Sequence, residues 1–226
     1  MARRRWRVVT GLCAVGFYLA STAAADAGGT ITGTVSVSLP QRGERPPRYY
    51  RGAYRASHTY EAPSAPVQSV VVYLEDLPTL GDGWTIPAEP ALMRQHHDRF
   101  VPRVLPVLRG RTVSFPNDDN YYHNVFSVVA GDRFDLGRFG QGDTRLQVFA
   151  DPAVVVVRCE IHPGMKAFIL VRQNPAFTVP DASGHFQLRD VPAGTWSLVA
   201  WHPTRANLRR TVTATDGKSA TLELSF

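Results

Sequence analysis

The chain has 226 residues, 44% of them hydrophobic and 19% charged, with 18 glycines and 17 prolines. That length supports one sizeable core or two small ones and excludes a disulfide-stapled miniprotein, while the modest charge excludes wholesale disorder. The formal charge of +6 is concentrated at the start: Arg3, Arg4, Arg5 and Arg7 precede any acid, and without residues 1–25 there remain 21 basic against 19 acidic side chains. So small an excess gives no reason to expect a nucleic-acid partner.

Residues 1–25 read as an export signal: a basic start, an apolar stretch of 13 residues from Val8 to Ala20, and a small-residue cleavage site at Ala23-Ala24-Ala25. The apolar stretch is short for a bilayer-spanning helix, and no later segment holds 18 uninterrupted apolar residues, so the mature chain is expected to be periplasmic with no membrane span. Cys13 would leave with the signal, making Cys159 the one cysteine of the mature chain. It has no internal disulfide partner, and a free thiol in an oxidising compartment is a liability. Something is expected to occupy it.

From Gly28 onward no long amphipathic helix is evident. Short β-type runs are expected over Thr30–Ser38, Val67–Leu74, Phe100–Leu108, Arg111–Phe115, His123–Val129, Leu146–Phe149, Ala153–Arg158 and Ala167–Arg172. A second series covers Phe177–Val179, His185–Leu188, Thr195–Trp201, Leu208–Thr213 and Ala220–Phe226, with turns at Asp181–Gly184 and Pro192–Gly194. Strands without intervening helices imply an all-β chain of antiparallel sandwiches or barrels. Pro40–Pro66, rich in Pro, Arg and Tyr, reads as a long exposed loop, and Trp201-His202 as an exposed strand end.

The chemistry concentrates in two patches. One runs from Phe115 to Phe126 and contains His123-Asn124; the other is Cys159-Glu160-Ile161-His162-Pro163-Gly164-Met165, between two Val-rich runs. Two imidazoles, a thiolate and a thioether result. That soft set suits copper, and His2Cys with a long axial Met is the donor set of blue-copper electron-transfer sites. Cys159, His162 and Met165 are spaced so that one tight loop, turning at Pro163-Gly164, brings them onto a single ion, with His123 arriving from a distant strand end.

At these residues the sequence resembles the amicyanin- and plastocyanin-like cupredoxins, the blue type I copper proteins, and most closely the amicyanin form, whose copper loop reads Cys-x2-His-x2-Met. The likeness spans roughly residues 95–172, including Gly110–Asn117 and His123-Asn124-Val125. It implies a Greek-key β-sandwich holding one type I copper, with His123, Cys159 and His162 as strong ligands and Met165 as the weak axial one. It also implies that His162 is the ligand nearest the surface, within an apolar exchange face, and that Asn124 ties the two ligand loops together and shields the sulfur. The chain departs from the family at Ala150-Asp151-Pro152-Ala153, where members often carry Ala-Gly-Thr-Tyr.

A weaker likeness flanks the first. Asp181–Leu188 and Asp190–Leu198, together with Gly33-Thr34-Val35 and Val70–Leu74, resemble the carboxypeptidase regulatory-like (transthyretin-like) β-sandwich. The expected organisation is a signal at 1–25, a discontinuous sandwich from 29–90 and 174–226, and a copper domain at 91–173 inserted between them. The competing layout adds the N-terminal strands to the copper domain's sheet. No haem, zinc-hydrolase, nucleophile-elbow or phosphate-loop motif is present. The expected function is electron transfer without bond chemistry, between redox proteins such as a c-type cytochrome or a periplasmic dehydrogenase. The alternative is copper storage, delivery or sensing.

Overall fold

The computed structural model describes residues 28–38, 66–75, 77, 85–128 and 133–226. The expected export signal and nearly all of the Pro40–Pro66 loop lie outside the described residues. Among those described the chain is all-β, with a single 3-10 turn at Pro66–Ser69. No helix of the described residues is long and apolar enough to cross a membrane.

The strands are β1 (Gly29–Ser36), β2 (Val71–Leu74), β3 (Ala91–Leu92), β4 (Arg94–Gln95), β5 (Phe100–Val101), β6 (Val104–Leu108), β7 (Arg111–Pro116), β8 (His123–Ser127) and β9 (Phe134–Phe139). They continue as β10 (Thr144–Phe149), β11 (Ala153–Arg158), β12 (Lys166–Arg172), β13 (Phe177–Thr178), β14 (His185–Val191), β15 (Gly194–Trp201), β16 (Leu208–Ala214) and β17 (Ser219–Ser225). The run expected from Phe100 to Leu108 is two strands, broken at Pro102-Arg103, and the one expected from Val67 begins instead with the 3-10 turn. Strands β3, β4 and β9 carry weak apolar signals: the first two have two residues each, and β9 contains Gly137 at φ 70, next to a register shift against β8. A bulge of that kind breaks the period-2 pattern that reveals a strand.

Four larger sheets carry the fold, in the orders β14-β1-β17, β13-β2-β15-β16, β6-β12-β11-β8-β9 and β10-β7-β3, and β4 pairs with β5 in a fifth, two-stranded sheet. Pairing is mostly antiparallel, but β1/β17, β12/β6 and β3/β7 are parallel. Each of these joins strands separated by at least one strand of another sheet, a connection that needs no crossover helix. The pure antiparallel expectation is corrected at these three pairs.

The sheets stack in four layers around three cores. Alternate residues explain why. On β2, Val72 and Leu74 enter one core with Ile31, Phe186 and Leu198, while Val71 and Tyr73 enter another with Val199, Val104, Phe168 and Leu170. On β12, Phe168 and Leu170 face that same middle core, whereas Ala167, Ile169 and Val171 face a third with Val113, Phe115, Val155 and Val157. A strand covered on both faces reads as a continuous apolar run, as Val-Val-Tyr-Leu and Ala-Phe-Ile-Leu-Val do. The middle core is therefore the seam between the β13-β2-β15-β16 sheet and the β6-β12-β11-β8-β9 sheet. At its edge, Arg172 lies 3.6 Å over the Tyr73 ring, and buried Asn174 donates to the Leu74 carbonyl (3.2 Å) and accepts from the Ala176 amide.

His202 is buried rather than part of an exposed strand end, because the chain after β15 folds it against the Phe226 ring, with centroids 5.7 Å apart. Burial first, and then the nearby Arg205 and Arg103, hold its imidazole below the usual 6.5. The unfolded chain therefore binds the proton more readily than the folded one. Stability is expected to fall as pH drops below 6.5, towards the lowered folded value. Urea unfolding of the metal-free protein at about pH 7.5 and about pH 5.5 measures this, and His202→Gln is expected to flatten the difference.

Candidate metal centre

Strand pairing brings the two chemical patches to one pole of the molecule. β8 begins at His123 and β11 ends at Arg158, and the two run antiparallel with Phe126 opposite Arg158. The start of one strand and the end of the other therefore meet, leaving the 159–162 loop across from His123. That loop closes the β11–β12 hairpin, whose last pair is Arg158 with Lys166. The Cys159 amide donates to the Met165 carbonyl (3.4 Å) and the Met165 amide to the His162 carbonyl (2.9 Å), so Pro163 and Gly164 form the tip of a hydrogen-bonded turn.

Three donor atoms converge there. Cys159 Sγ lies 3.8 Å from His123 Nδ1 and 3.8 Å from His162 Nδ1, and the two Nδ1 atoms are 2.9 Å apart. The point equidistant from all three lies about 2.1 Å from each, within the range of nitrogen and sulfur bonds to a late transition metal. His123 and Cys159 are buried, and His162 is partly exposed. Met165 is buried in the same core as Cys159. The residues present thus fit a small, soft cation in number, type and spacing.

Neighbouring groups hold these donors in place. Asn124 Oδ1 accepts the Glu160 amide at 2.6 Å, linking the loop that carries Cys159 to the strand that carries His123. Pro163 is exposed at the loop tip. Asn117, fully buried, donates from Nδ2 to the carbonyls of Tyr121 (2.8 Å) and Phe139 (3.0 Å) and accepts the Asp119 amide, which fixes the 117–121 turn leading into β8.

Asp119 was not evident from the sequence. Its Oδ2 is 2.8 Å from His123 Nε2, and its carboxylate also accepts the amides of His97 (2.7 Å) and Asp98 (3.2 Å). Burial alone would raise its pKa, but the hydrogen bonds from His123 and the two amides outweigh it and leave it below 3.8. An ionised Asp119 can only accept, so His123 carries its proton on Nε2 and turns the Nδ1 lone pair towards Cys159. The Asp119-x3-His123 spacing was the available signal, but isolated carboxylates at that spacing are too common to single out. Asp98 had no signal, since it comes from the separate β4–β5 loop; its Oδ1 lies 3.7 Å from His162 Nε2.

The Tyr121 ring packs against both imidazoles, with centroids 5.1 Å from His123 and 5.5 Å from His162. Burial, a hydrogen bond with Asp98 and the charges of Asp119 and Asp98 push its phenol up to about 12. The surface near His162 is mixed: exposed Tyr121, Tyr122 and Ile161 stand beside the Arg138–Glu160 pair (3.4 Å) and Asp98. Apolar and charged groups therefore share the surface around His162.

No protein family and no curated relative matches the chain. Among solved structures, a copper-containing nitrite reductase from Thermus scotoductus is 26% identical, with 41% of this chain and 24% of that chain covered and a TM-score of 0.37. This chain thus spans about a quarter of that enzyme's length. A purple cupredoxin from Nitrosopumilus maritimus is 24% identical over 36% of this chain and 99% of its own, with a TM-score of 0.33. A reduced amicyanin variant is 19% identical over 38% of this chain and 86% of its own, with a TM-score of 0.36. The likeness is partial in each case, and the functional reading rests on the side-chain geometry.

Proposed function

We propose that the protein is an exported blue-copper electron carrier, whose copper His123, Cys159 and His162 would hold, with Met165 as a fourth, weaker donor. The observation that carries this reading is the convergence of one thiol and two imidazole Nδ1 atoms, from loops 36 residues apart, on a point at bonding distance from all three. Bound copper would supply one-electron Cu(I)/Cu(II) chemistry. The chain's own part is to hold the donors still: two hairpin ends, the Asn124–Glu160 hydrogen bond and the Asn117-braced turn leave them little freedom to rearrange between oxidation states. Little rearrangement favours rapid electron exchange.

In this reading residues 91–173 are the copper module, inserted into a second sandwich formed by 29–90 and 174–226 that resembles the transthyretin-like domains. What supports the insertion is the pairing of β1 with β14 and β17 and of β2 with β13 and β15, all outside 91–173. His162, the least buried of the three donors, would be the route by which electrons pass to a c-type cytochrome or a dehydrogenase outside the cytoplasm.

The test is an optical and EPR spectrum of the copper-loaded protein with a reductive titration. An intense thiolate-to-copper band that bleaches and returns reversibly is expected; a colourless protein that holds only Cu(I) and hands it to an apo-acceptor would establish copper delivery instead. Met165→Leu is expected to keep the colour and raise the reduction potential, because a weak donor that favours Cu(II) is removed.

A further inference from the structure

The turn joining β4 to β5 is in a costly conformation. His97 and Asp98 are its two central residues, closed by the His96 amide on the Arg99 carbonyl (2.9 Å), and both have positive φ, 52° and 56°. Two-residue hairpin loops of this kind normally use Asn-Gly or Asp-Gly, because a side chain at positive φ is strained. Here the conformation aims both amides at the Asp119 carboxylate, at 2.7 and 3.2 Å, and the same carboxylate holds His123 Nε2 at 2.8 Å. The same turn puts Asp98 Oδ1 3.7 Å from His162 Nε2. Each imidazole that turns Nδ1 to the metal point therefore has a carboxylate at its far nitrogen.

We propose that Asp119, seconded by Asp98, is a positioning residue that holds His123 as its Nε2–H tautomer and biases the bound copper towards the oxidised state. The inference rests on the copper reading above. A carboxylate behind a ligating imidazole raises the basicity of the ligating nitrogen and adds negative charge near the ion, and both favour Cu(II) over Cu(I). The equilibrium affected is the gain of one electron by Cu(II), supplied by the redox-protein partner. The strain in the His97-Asp98 turn is offset by the two hydrogen bonds that hold the buried carboxylate in place.

Asp119→Asn keeps an oxygen for His123 and removes the charge. It is expected to retain the visible band and shift the Cu(I)/Cu(II) ratio at a fixed potential about tenfold towards Cu(I), which is roughly 59 mV for a one-electron couple. Asp98→Asn, at a partly exposed position, is expected to shift it the same way by less. In the metal-free protein, nitrogen NMR should show His123 wholly as the Nε2–H tautomer. In Asp119→Ala the tautomers should mix, and exchange of the His97 and Asp98 amides should quicken about tenfold or more. A potential unchanged in both asparagine variants, or mixed tautomers in the wild-type protein, overturns the proposal. Should the wild-type protein never develop the charge-transfer band, the copper reading falls instead, and the metal-free measurements still decide whether Asp119 holds His123.

Discussion

Cys159→Ser is expected to abolish the intense visible band and to weaken copper binding by about two orders of magnitude or more, because the thiolate is the soft donor that both oxidation states share. Serine is close in shape, so the fold should survive. Cys159 is buried in the core that holds Val157 and Met165, and losing a sulfur there costs on the order of 1 kcal/mol of packing. The effect on copper-dependent stability is far larger. A ligand bound only by the folded state and present at about 100 times its dissociation constant adds roughly 2.7 kcal/mol. That increment should disappear in the variant while the metal-free melting temperature moves by only a few degrees. The measurement is a pair of melting curves for each protein, with and without copper, beside a competition titration. Equal copper-induced stabilisation of the two proteins would show that the sulfur is simply a small buried hydrophobe.

Phe168→Ala is expected to destabilise the protein by about 3–5 kcal/mol, the usual effect of emptying an aromatic site in a closed core. Phe168 sits in the seam between the two middle sheets, edge-on to Trp201 with centroids 5.6 Å apart and with Lys166 Nζ 5.0 Å over its ring. Its neighbours in sequence, Ala167 and Ile169, face the opposite core below the metal point. The variant should therefore keep the copper spectrum while its denaturant midpoint falls. A loss below about 1 kcal/mol would mean that the seam is loosely packed and that the sheets it joins are held together elsewhere. The wild-type protein should unfold in one transition, because the seam shares strands β2, β15, β6 and β12 with the cores on either side.

How much of this was legible beforehand differs by element. Most of the longer strands, β7, β11, β12 and β14 to β17 among them, were evident from Val-rich or alternating runs bounded by turn residues, and their ends fall close to expectation. The short strands β3 and β4 and the bulged β9 were not, because two-residue pairings and a positive-φ glycine leave no periodic trace. His123, Cys159, His162 and Met165 were all evident as potential donors, since thiol, imidazole and thioether chemistry is carried by residue type and the loop spacing is local. Asp119 and Asp98 were not, since a carboxylate acquires a role only from what it faces. His202 was misjudged for the same reason: burial belongs to the packing of distant strands.

By itself, then, the amino-acid order determined the all-β character and the four candidate donors, because side-chain periodicity and donor chemistry are local properties. Only the tertiary structure decided the three parallel pairings, the four-layer stack in which β2 and β12 are covered on both faces, and the carboxylate behind each imidazole. These depend on which remote segments meet. That is settled by the burial of whole faces and the pairing of buried polar groups, and no short stretch of chain records either.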